Sequence, residues 1–217
     1  GYLTQTEMVA TAKRVCAAVT IPIIIDADTG YGNALNVIRT VNELIDAGAA
    51  GMFLEDQVWP KRCGHMKGKR VIPVEEHVQK IRAAVDARKG RDFFIVARTD
   101  ARQVNGLEDA IARCKRYKEA GADALFIEAP QSVEELKALA RELPPPLVAN
   151  MLEGGATPLL TKDELEKLGL QLIVCPLTAL YASAKAMQDM FELIKTKGTT
   201  RDHVDRLLPF QQFHDII

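Results

Sequence analysis

The sequence has 217 residues, of which 47% are hydrophobic and 26% are charged, and its formal net charge is −1. This composition is typical of a globular protein, and the length predicts one domain with a sizeable core. A nearly neutral chain is a poor candidate for binding nucleic acid or an anionic membrane. No apolar run approaches the roughly 18 residues that span a bilayer, and residues 1–10 lack the features of a signal peptide, so we expect a soluble protein.

The four cysteines are widely separated and form no paired motif, which argues against a disulfide framework or a zinc site. Reduced thiols indicate a reducing compartment, so we expect a cytoplasmic protein and leave an organelle matrix open as the alternative. Cys16, Cys114 and Cys175 lie in predicted helices or beside a predicted strand and are interpreted as structural. Only Cys63 lies in a polar loop that contains glycine.

Along the chain, a predicted amphipathic helix over residues 4–19 precedes six strand-then-helix units. The strands are predicted over residues 21–25, 51–54, 93–97, 124–127, 147–149 and 172–174. The helices that follow them are predicted over residues 34–47, 74–88, 107–120, 133–142, 162–168 and 178–195. Apolar strands that alternate with helices indicate a parallel sheet covered by helices.

Two α/β architectures fit this pattern, a doubly wound open sheet and a (β/α)₈ TIM-type barrel. No glycine-rich nucleotide-binding motif follows any predicted strand. Polar or charged residues instead follow five strands: Asp26 and Asp28, Glu55 and Asp56, Arg98 and Asp100, Glu128, and Asn150. Barrel enzymes build their sites from such a ring, so we predict one barrel domain over residues 1–217 with a helical tail over 196–217. Only six of eight units are visible, and we expect the N-terminal strand units to lie upstream of this chain.

Asp26 and Asp28 follow the first apolar strand within the stretch IPIIIDADTGYG, residues 21–32. Residues two apart on a strand project to the same side, and two carboxylates placed so closely require a neutralising partner. A divalent cation would supply it. The alternative is that both aspartates are turn residues that cap the next helix.

The segment 56–73 is the longest connection in the chain and contains the sequence KRCGH, residues 61–65. Nearby cations favour a thiolate at Cys63, whereas a protonated Cys63 beside His65 could act as a general acid. A loop that leaves the carboxyl end of a strand would cover the ring of polar residues, so we predict an active-site lid. The alternative is a solvated basic loop with an incidental cysteine.

Five motifs occur in order along the chain: DADTGYG at 26–32, EDQVWPKRCGH at 55–65, ARTDAR at 97–102, FIEA at 126–129 and ANMLEGG at 149–155. Together they resemble the isocitrate lyase/phosphoenolpyruvate mutase superfamily. The KRCGH form resembles its carbon–carbon bond-cleaving branch, which includes methylisocitrate lyases, dimethylmalate lyases and oxaloacetate hydrolases.

The resemblance implies a (β/α)₈ barrel with Mg²⁺, for which Mn²⁺ can substitute, and a set of roles for individual residues. The metal would be held, directly or through water, by Asp26, Asp28 and Glu55. The implied catalytic residues are Cys63, His65 and Glu128. The implied substrate-binding residues are Arg98, Asn150, Tyr31, Gly64 and His65. It also implies a homotetramer, a dimer of dimers that exchanges C-terminal helices, and a catalytic base in the upstream part.

The activity expected from the resemblance is Mg²⁺-dependent cleavage of a small 2-hydroxy di- or tricarboxylate, of the 2-methylisocitrate or 2,3-dimethylmalate type, to pyruvate or glyoxylate. Oxaloacetate hydrolysis is the nearest alternative, followed by oxaloacetate decarboxylation and phosphonomutase activity. A non-catalytic barrel that serves as a scaffold is the alternative from another class of protein.

Several other residues are interpreted as structural. Tyr31 is either a turn residue that packs at the barrel mouth or a hydrogen-bonding group near the metal. His77 and His203 are predicted to be surface residues outside the site. Asp100 and Arg102 are predicted to form structural ion pairs, and Trp59 is predicted to anchor its loop by packing.

Overall fold

Six parallel strands pair in the order in which they occur along the chain in the computed structural model, which describes residues 1–216. Their bounds are β1 (Ile24–Asp26), β2 (Gly51–Glu55), β3 (Phe94–Thr99), β4 (Ala124–Ile127), β5 (Leu147–Asn150) and β6 (Leu172–Val174). This consecutive order lacks the reversal that defines a doubly wound sheet and is the order of a barrel wall. The α/β class with a parallel, barrel-like sheet is confirmed, whereas two further strand units upstream stay a prediction.

Seven helices accompany this sheet, in a compact unit that extends from Gly1 to Cys175. Their bounds are α1 (Gln5–Ala18), α2 (Ala34–Asp46), α3 (Val74–Arg88), α4 (Ala101–Asn105), α5 (Leu107–Glu119), α6 (Val133–Glu142) and α7 (Lys162–Leu168). The predicted helices agree with these bounds to within one residue at either end, and only α4 was not predicted. Capping explains two of the sharp starts, because Thr4 and Thr161 each accept a hydrogen bond from the backbone of the first turn.

Alternation along the strands sorts their side chains onto two faces. Residues such as Met52, Leu54 and Ile95 belong to the main core, together with residues of the helices. The residues between them form a second apolar cluster on the inner face of the sheet: Phe53, Phe94, Val96, Ala124, Phe126, Val148, Leu172 and Val174. The same alternation places Glu55, Arg98 and Glu128 on the inner face, because each lies two residues beyond a member of this cluster.

A second compact unit begins at Pro176. It contains α8 (Thr178–Lys197), a 3₁₀ helix (Arg201–Arg206) and α9 (Phe210–His214), and no residue of these three helices is buried. The tail predicted as helical therefore has two short helices, and Ile217 lies outside the described residues. Across residues 1–216, no helix has both the length and the apolar character that a membrane span requires. Exchange of the C-terminal helices between subunits stays a prediction.

Candidate active site

Three carboxylates converge on the ammonium group of Lys61 at the carboxyl ends of β1 and β2. The Lys61 Nζ atom lies 2.5 Å from Asp28 Oδ1, 3.1 Å from Asp26 Oδ2 and 3.3 Å from Glu55 Oε2. Burial would lower the pKa of the Lys61 ammonium, but Glu55, Asp26 and Asp28 raise it above its ordinary value. The predicted metal ligands thus lie together around one position that attracts a cation.

The turn after β1 holds the two aspartates in place. Asp28 has a left-handed backbone with φ 49°, and its N–H donates to Asp26 Oδ1 over 2.8 Å. Gly30 follows with φ 84°, and a Cβ atom there would lie 2.4 Å from Cγ2 of Val37 in α2. The turn therefore requires glycine at this position, both for its backbone conformation and for its close contact with α2.

The donor set fits a hard divalent cation such as Mg²⁺. Its members are carboxylates, and Glu55 Oε1 is buried without a hydrogen-bond partner among the described residues. Burial raises the pKa of Glu55 to about 7, with Asp100 and Asp26 adding to the rise and Arg98 and Lys61 opposing it. No three metal-ligating side chains within residues 1–216 form a direct cage. A cation that keeps several water ligands suits this wider arrangement.

Arg98 lies next to the carboxylates on the inner face of β3. Its Nε atom is 2.9 Å from Asp100 Oδ2 and 3.5 Å from Glu55 Oε2, and Nη1 is 3.7 Å from Glu128 Oε2. Its guanidinium group lies over the Phe126 ring, 5.2 Å from the centroid. Asp100 thus forms the predicted structural ion pair, with Arg98 as its partner. Arg102 forms the other predicted ion pair with Glu135, to which its Nε atom donates over 2.9 Å.

Glu128, His65 and Asn150 form the opposite side of the site. Glu128 Oε1 is 3.0 Å from His65 Nε2 and accepts a hydrogen bond from Asn150 Nδ2 over 3.1 Å. His65 Nδ1 accepts from the backbone N–H of Ala156 over 2.9 Å, so this nitrogen carries no proton and Nε2–H donates to Glu128. Burial would raise the pKa of Glu128, but Arg98 and the hydrogen bond from His65 hold it below its ordinary value.

The 56–73 segment places Gly64 directly against these side chains. A Cβ atom on Gly64 would lie 2.3 Å from Glu128 Oε1 and 2.4 Å from Arg98 Nη2. The structure therefore brings Gly64 and His65 into the site. The side chain of Cys63 is exposed and makes no hydrogen bond within the described part of the chain, so its thiol is not in contact with Glu128 or His65 here.

Tyr31 lies beside the carboxylates, in a left-handed turn with φ 59°. Its ring packs edge-on against Trp59 with the centroids 6.3 Å apart, which agrees with a packing role for Trp59. The Tyr31 hydroxyl is buried and has no hydrogen-bond partner among residues 1–216. Burial raises its pKa, and the nearby Asp28 and Asp26 raise it further. The hydroxyl is therefore kept protonated and remains available as a hydrogen-bond donor.

The prediction that His77 lies on the surface is wrong. Its ring is fully buried in α3 and packs edge-on against Tyr117 with the centroids 4.7 Å apart. The spacing of Val74, His77 and Ile81 along the helix indicates that His77 is buried, because residues three and four apart lie on the same face of a helix. His203 lies in the 3₁₀ helix of the second unit and is half-buried.

Two lysines of the site were not predicted as site residues. In the sequence, Lys61 is marked only as a cation close to Cys63, and no pattern marks Lys69. Lys69 is buried, and its Nζ atom donates to the carbonyl of Gly64 and, over 2.7 Å, to Asp100 Oδ1. Its position depends on contacts with residues distant in the chain, which periodicity does not reveal.

Comparison with known proteins identifies relatives along the whole chain. The family model described as phosphoenolpyruvate phosphomutase matches residues 1–195. The carboxyvinyl-carboxyphosphonate phosphorylmutase, chloroplastic, of Arabidopsis thaliana is 58% identical over 100% of this chain and 65% of its own length. The petal death protein of Dianthus caryophyllus is 52% identical over 100% of the chain and 69% of its length. The 2,3-dimethylmalate lyase of Eubacterium barkeri is 49% identical over 100% of the chain and 75% of its length. The chain thus spans about two thirds to three quarters of these relatives.

Solved structures show the same fold. A crystal structure of 2,3-dimethylmalate lyase, described as a PEP mutase/isocitrate lyase superfamily member, has a TM-score of 0.93 and 36% identity, covering 99% of this chain and 72% of that one. Oxaloacetate acetylhydrolase in complex with 3,3-difluorooxalacetate has a TM-score of 0.93 and 33% identity, with coverage of 99% and 74%. Phosphonopyruvate hydrolase in complex with oxalate and Mg²⁺ has a TM-score of 0.87 and 30% identity, with coverage of 100% and 75%.

The family match, the identities and the structural similarity agree with the motifs and the arrangement of the strand ends. The relatives named above are lyases, mutases and hydrolases, together with a petal death protein. The chain belongs to the phosphoenolpyruvate phosphomutase family of enzymes, within the PEP mutase/isocitrate lyase superfamily.

Proposed function

We propose that this chain carries the active site of a Mg²⁺-dependent carbon–carbon lyase. Its substrate would be a small 2-hydroxy di- or tricarboxylate of the 2-methylisocitrate or 2,3-dimethylmalate type, cleaved to pyruvate or glyoxylate and a second carboxylate. The observation that carries this proposal is that a cluster of carboxylates that attracts a cation lies next to a side chain suited to binding a carboxylate. Glu55 Oε2 of the cluster lies 3.5 Å from Arg98 Nε. Lyase relatives with these two substrate names support it.

Binding is assigned to two groups of residues. Asp26, Asp28 and Glu55 would hold Mg²⁺, for which Mn²⁺ can substitute. When bound, the cation would supply positive charge that stabilises negative charge on the oxygens of a 2-hydroxy acid. Arg98 offers its planar guanidinium group to a substrate carboxylate. The Asn150 Oδ1 atom and the Tyr31 hydroxyl, both buried without partners among residues 1–216, supply further hydrogen bonds.

Cleavage requires a proton at the departing carbon. A general base takes the proton of the substrate hydroxyl, whose oxygen becomes the carbonyl oxygen of one product, and the electrons of the broken carbon–carbon bond remain on the other product as an enediolate. Cys63 donates the proton of its thiol to that carbon. His65, held by Ala156 with its proton on Nε2, binds and orients Glu128, and the 56–73 segment acts as a lid that excludes water. The thiol is exposed in this structure, so the proposal requires it to turn inward.

Oxaloacetate hydrolysis to oxalate and acetate is the second candidate function. The similarity to oxaloacetate acetylhydrolase, at a TM-score of 0.93, favours it over the remaining alternatives. Oxaloacetate decarboxylation and phosphonomutase activity rank lower, although the name of the Arabidopsis relative keeps phosphoryl chemistry among the candidates. A scaffold without activity ranks lowest.

The test is a substrate screen with Mg²⁺ of 2-methylisocitrate, isocitrate, 2,3-dimethylmalate, oxaloacetate and phosphonopyruvate, with the products identified by mass. We expect pyruvate or glyoxylate from one of the first three. Oxalate and acetate from oxaloacetate alone would support the second candidate instead. No product from any of them would support the scaffold.

We further propose a homotetramer, built as a dimer of dimers with exchanged C-terminal helices. Large apolar side chains of the second unit are exposed in the single chain, and a subunit interface would cover them: Leu180, Tyr181, Met187, Phe191, Phe210 and Phe213. Light scattering after gel filtration tests the assembly, and a monomer at micromolar concentration would contradict it.

A cytoplasmic location, or an organelle matrix, stays a prediction that a fluorescent fusion would test.

A further inference from the structure

Lys69 is a buried cation at the far end of the 56–73 segment. Its side chain has 0% exposure, and its Nζ atom donates to the carbonyl oxygen of Gly64 and, over 2.7 Å, to Oδ1 of Asp100. One contact lies within the segment and the other lies beyond the end of β3. Lys69 therefore links the segment to the barrel wall.

Asp100 is a rigid point of attachment for that link. Its backbone N–H donates to Asp56 Oδ1 over 2.9 Å, and its own Oδ2 accepts from Arg98 Nε over 2.9 Å. Asp56 is held in turn by the hydroxyl of Tyr117 over 2.7 Å and by Thr99 over 2.6 Å. All of these groups except Arg98 are buried, so the network has one well-defined arrangement.

The position of Gly64 depends on the same lysine. Gly64 fits against Arg98 and Glu128 so closely that a Cβ atom would overlap both. If the segment lifted, either the hydrogen bond between the Lys69 ammonium and the Gly64 carbonyl or the ion pair between Lys69 and Asp100 would break. Either change leaves a buried polar or charged group less satisfied, which costs free energy. Gly64 also lies between Cys63 and His65, so its placement positions both neighbours.

We propose that Lys69 is a positioning residue that holds the 56–73 segment closed over the site by bridging the Gly64 carbonyl and Asp100. It acts through Gly64 and His65 and does not itself contact substrate. This inference rests on the proposed function for its catalytic consequence, whereas the bridge itself can be tested without substrate.

Hydrogen exchange on the full protein measures the bridge directly. The backbone amides of Arg62 and Met66 report on the segment, since they donate hydrogen bonds within it, to Gln57 Oε1 over 3.0 Å and to the Cys63 carbonyl over 2.9 Å. In Lys69→Met we expect these amides to exchange at least tenfold faster, with amides of β3 and β4 unchanged. Iodide should also quench the fluorescence of Trp59, the single tryptophan, more strongly in this variant.

Lys80→Met is the matched control. Lys80 is also buried, and its Nζ atom also donates to a backbone carbonyl, that of Thr29, over 3.1 Å. It has no contact with the 56–73 segment in the hydrogen bonds or ion pairs of the described residues. Its removal should leave exchange in the segment at the parent rate. Equal acceleration by both variants would show general loosening and would overturn the proposal.

Asp100 keeps Arg98 as a partner when Lys69 is replaced, so Lys69→Met is expected to fold. If its β3 and β4 amides nevertheless exchange faster, Lys69→Gln decides the question, because its side chain keeps a hydrogen-bond donor for one partner but is one atom too short to bridge both Gly64 and Asp100. Faster exchange in Lys69→Gln that is confined to the segment supports the bridge. Parent-like exchange in the segment, or equal acceleration everywhere, overturns it.

Turnover separates this inference from the proposed function. With an active parent protein, Lys69→Met should lower kcat at least tenfold and change KM less than threefold. If the parent protein turns over no carboxylate but the variant opens the segment, the proposed function fails and the bridge stands. If the parent protein is active and the segment amides do not change in the variant, the bridge fails and the function stands.

Discussion

The ammonium of Lys61 lies 2.5 Å from Oδ1 of Asp28, at the position where three carboxylates of the proposed metal site meet. Only 14% of the Lys61 side chain is exposed, whereas 52% of the Asp26 side chain is exposed. The lysine therefore neutralises a partly buried cluster that a divalent cation would also neutralise. We therefore expect Lys61 and Mg²⁺ to compete for the same negative charge.

Lys61→Met should therefore destabilise the metal-free protein and increase the stabilisation by Mg²⁺. Unpairing a partly buried cluster of this kind costs about 1–3 kcal/mol, which lowers Tm by about 2–12 °C in a chain of this size. Thermal unfolding with and without Mg²⁺ measures both effects. Lys67→Met, in the same segment but at an exposed position, is the control and should behave as the parent protein does. An equal Mg²⁺-induced shift in Lys61→Met and the parent protein would contradict this competition.

Gly64→Ala should reduce turnover strongly, because the added methyl group would lie 2.3 Å from Glu128 Oε1 and 2.4 Å from Arg98 Nη2. Either the segment lifts or these two side chains move, and both changes disturb the proposed site. We expect kcat/KM to fall by about 100-fold, which corresponds to about 2.7 kcal/mol of lost transition-state stabilisation. Met66→Ala, at an exposed position of the same segment, should retain turnover. Steady-state kinetics at saturating Mg²⁺ measures both variants, and parent-like turnover of Gly64→Ala would show that the closed segment is not needed.

Cys63→Ser tests the proposed proton donor. A serine hydroxyl is a far weaker acid than a thiol, so we expect kcat to fall by about 100-fold or more. Because the Cys63 side chain is exposed, Tm should change little. Cys175→Ser, at another exposed cysteine, should leave both quantities unchanged. If Cys63→Ser turns over at the parent rate, the role assigned to this thiol is wrong.

His77 should make the protein less stable in mild acid. Burial, together with the nearby charges of Lys80 and Arg113, lowers its pKa from an ordinary value of 6.5 to about 3. Below pH 6.5 the unfolded chain binds a proton at His77 that the folded chain does not bind, so the free energy of unfolding falls as pH falls from 6.5 towards 3. The contribution is about 2 kcal/mol between pH 7 and pH 5.

Denaturant unfolding at pH 7 and pH 5 checks this effect. His77→Phe keeps a ring against Tyr117. Between pH 7 and pH 5, its free energy of unfolding should fall by about 2 kcal/mol less than that of the parent protein. Parallel pH dependence in the two proteins would show that His77 is protonated equally in the folded and unfolded states.

Much of the fold could be predicted because its elements have strong local signals. Helices such as α3 and α6 have sharp ends, and the strands end in polar residues that follow the alternation of the sheet. Helix α4 was missed because its five residues are too few for periodicity, and Gly106 at φ 102° ends it at once. The roles of Lys61 and Lys69 depend on contacts across 35 and 31 residues, respectively, which arise only when the 56–73 segment lies on the barrel.

We propose that Asp26, Asp28 and Glu55 hold a divalent cation that a 2-hydroxy acid requires for cleavage. The most direct measurement is the release of pyruvate or glyoxylate from 2-methylisocitrate and 2,3-dimethylmalate by the parent protein and by Asp28→Asn, with Mg²⁺ added and after its removal by a chelator. We predict turnover by the parent protein that disappears on chelation and returns with Mg²⁺, and no turnover by Asp28→Asn at the same Mg²⁺ concentration. Cleavage that persists without the cation, or in Asp28→Asn at the parent rate, would contradict the claim.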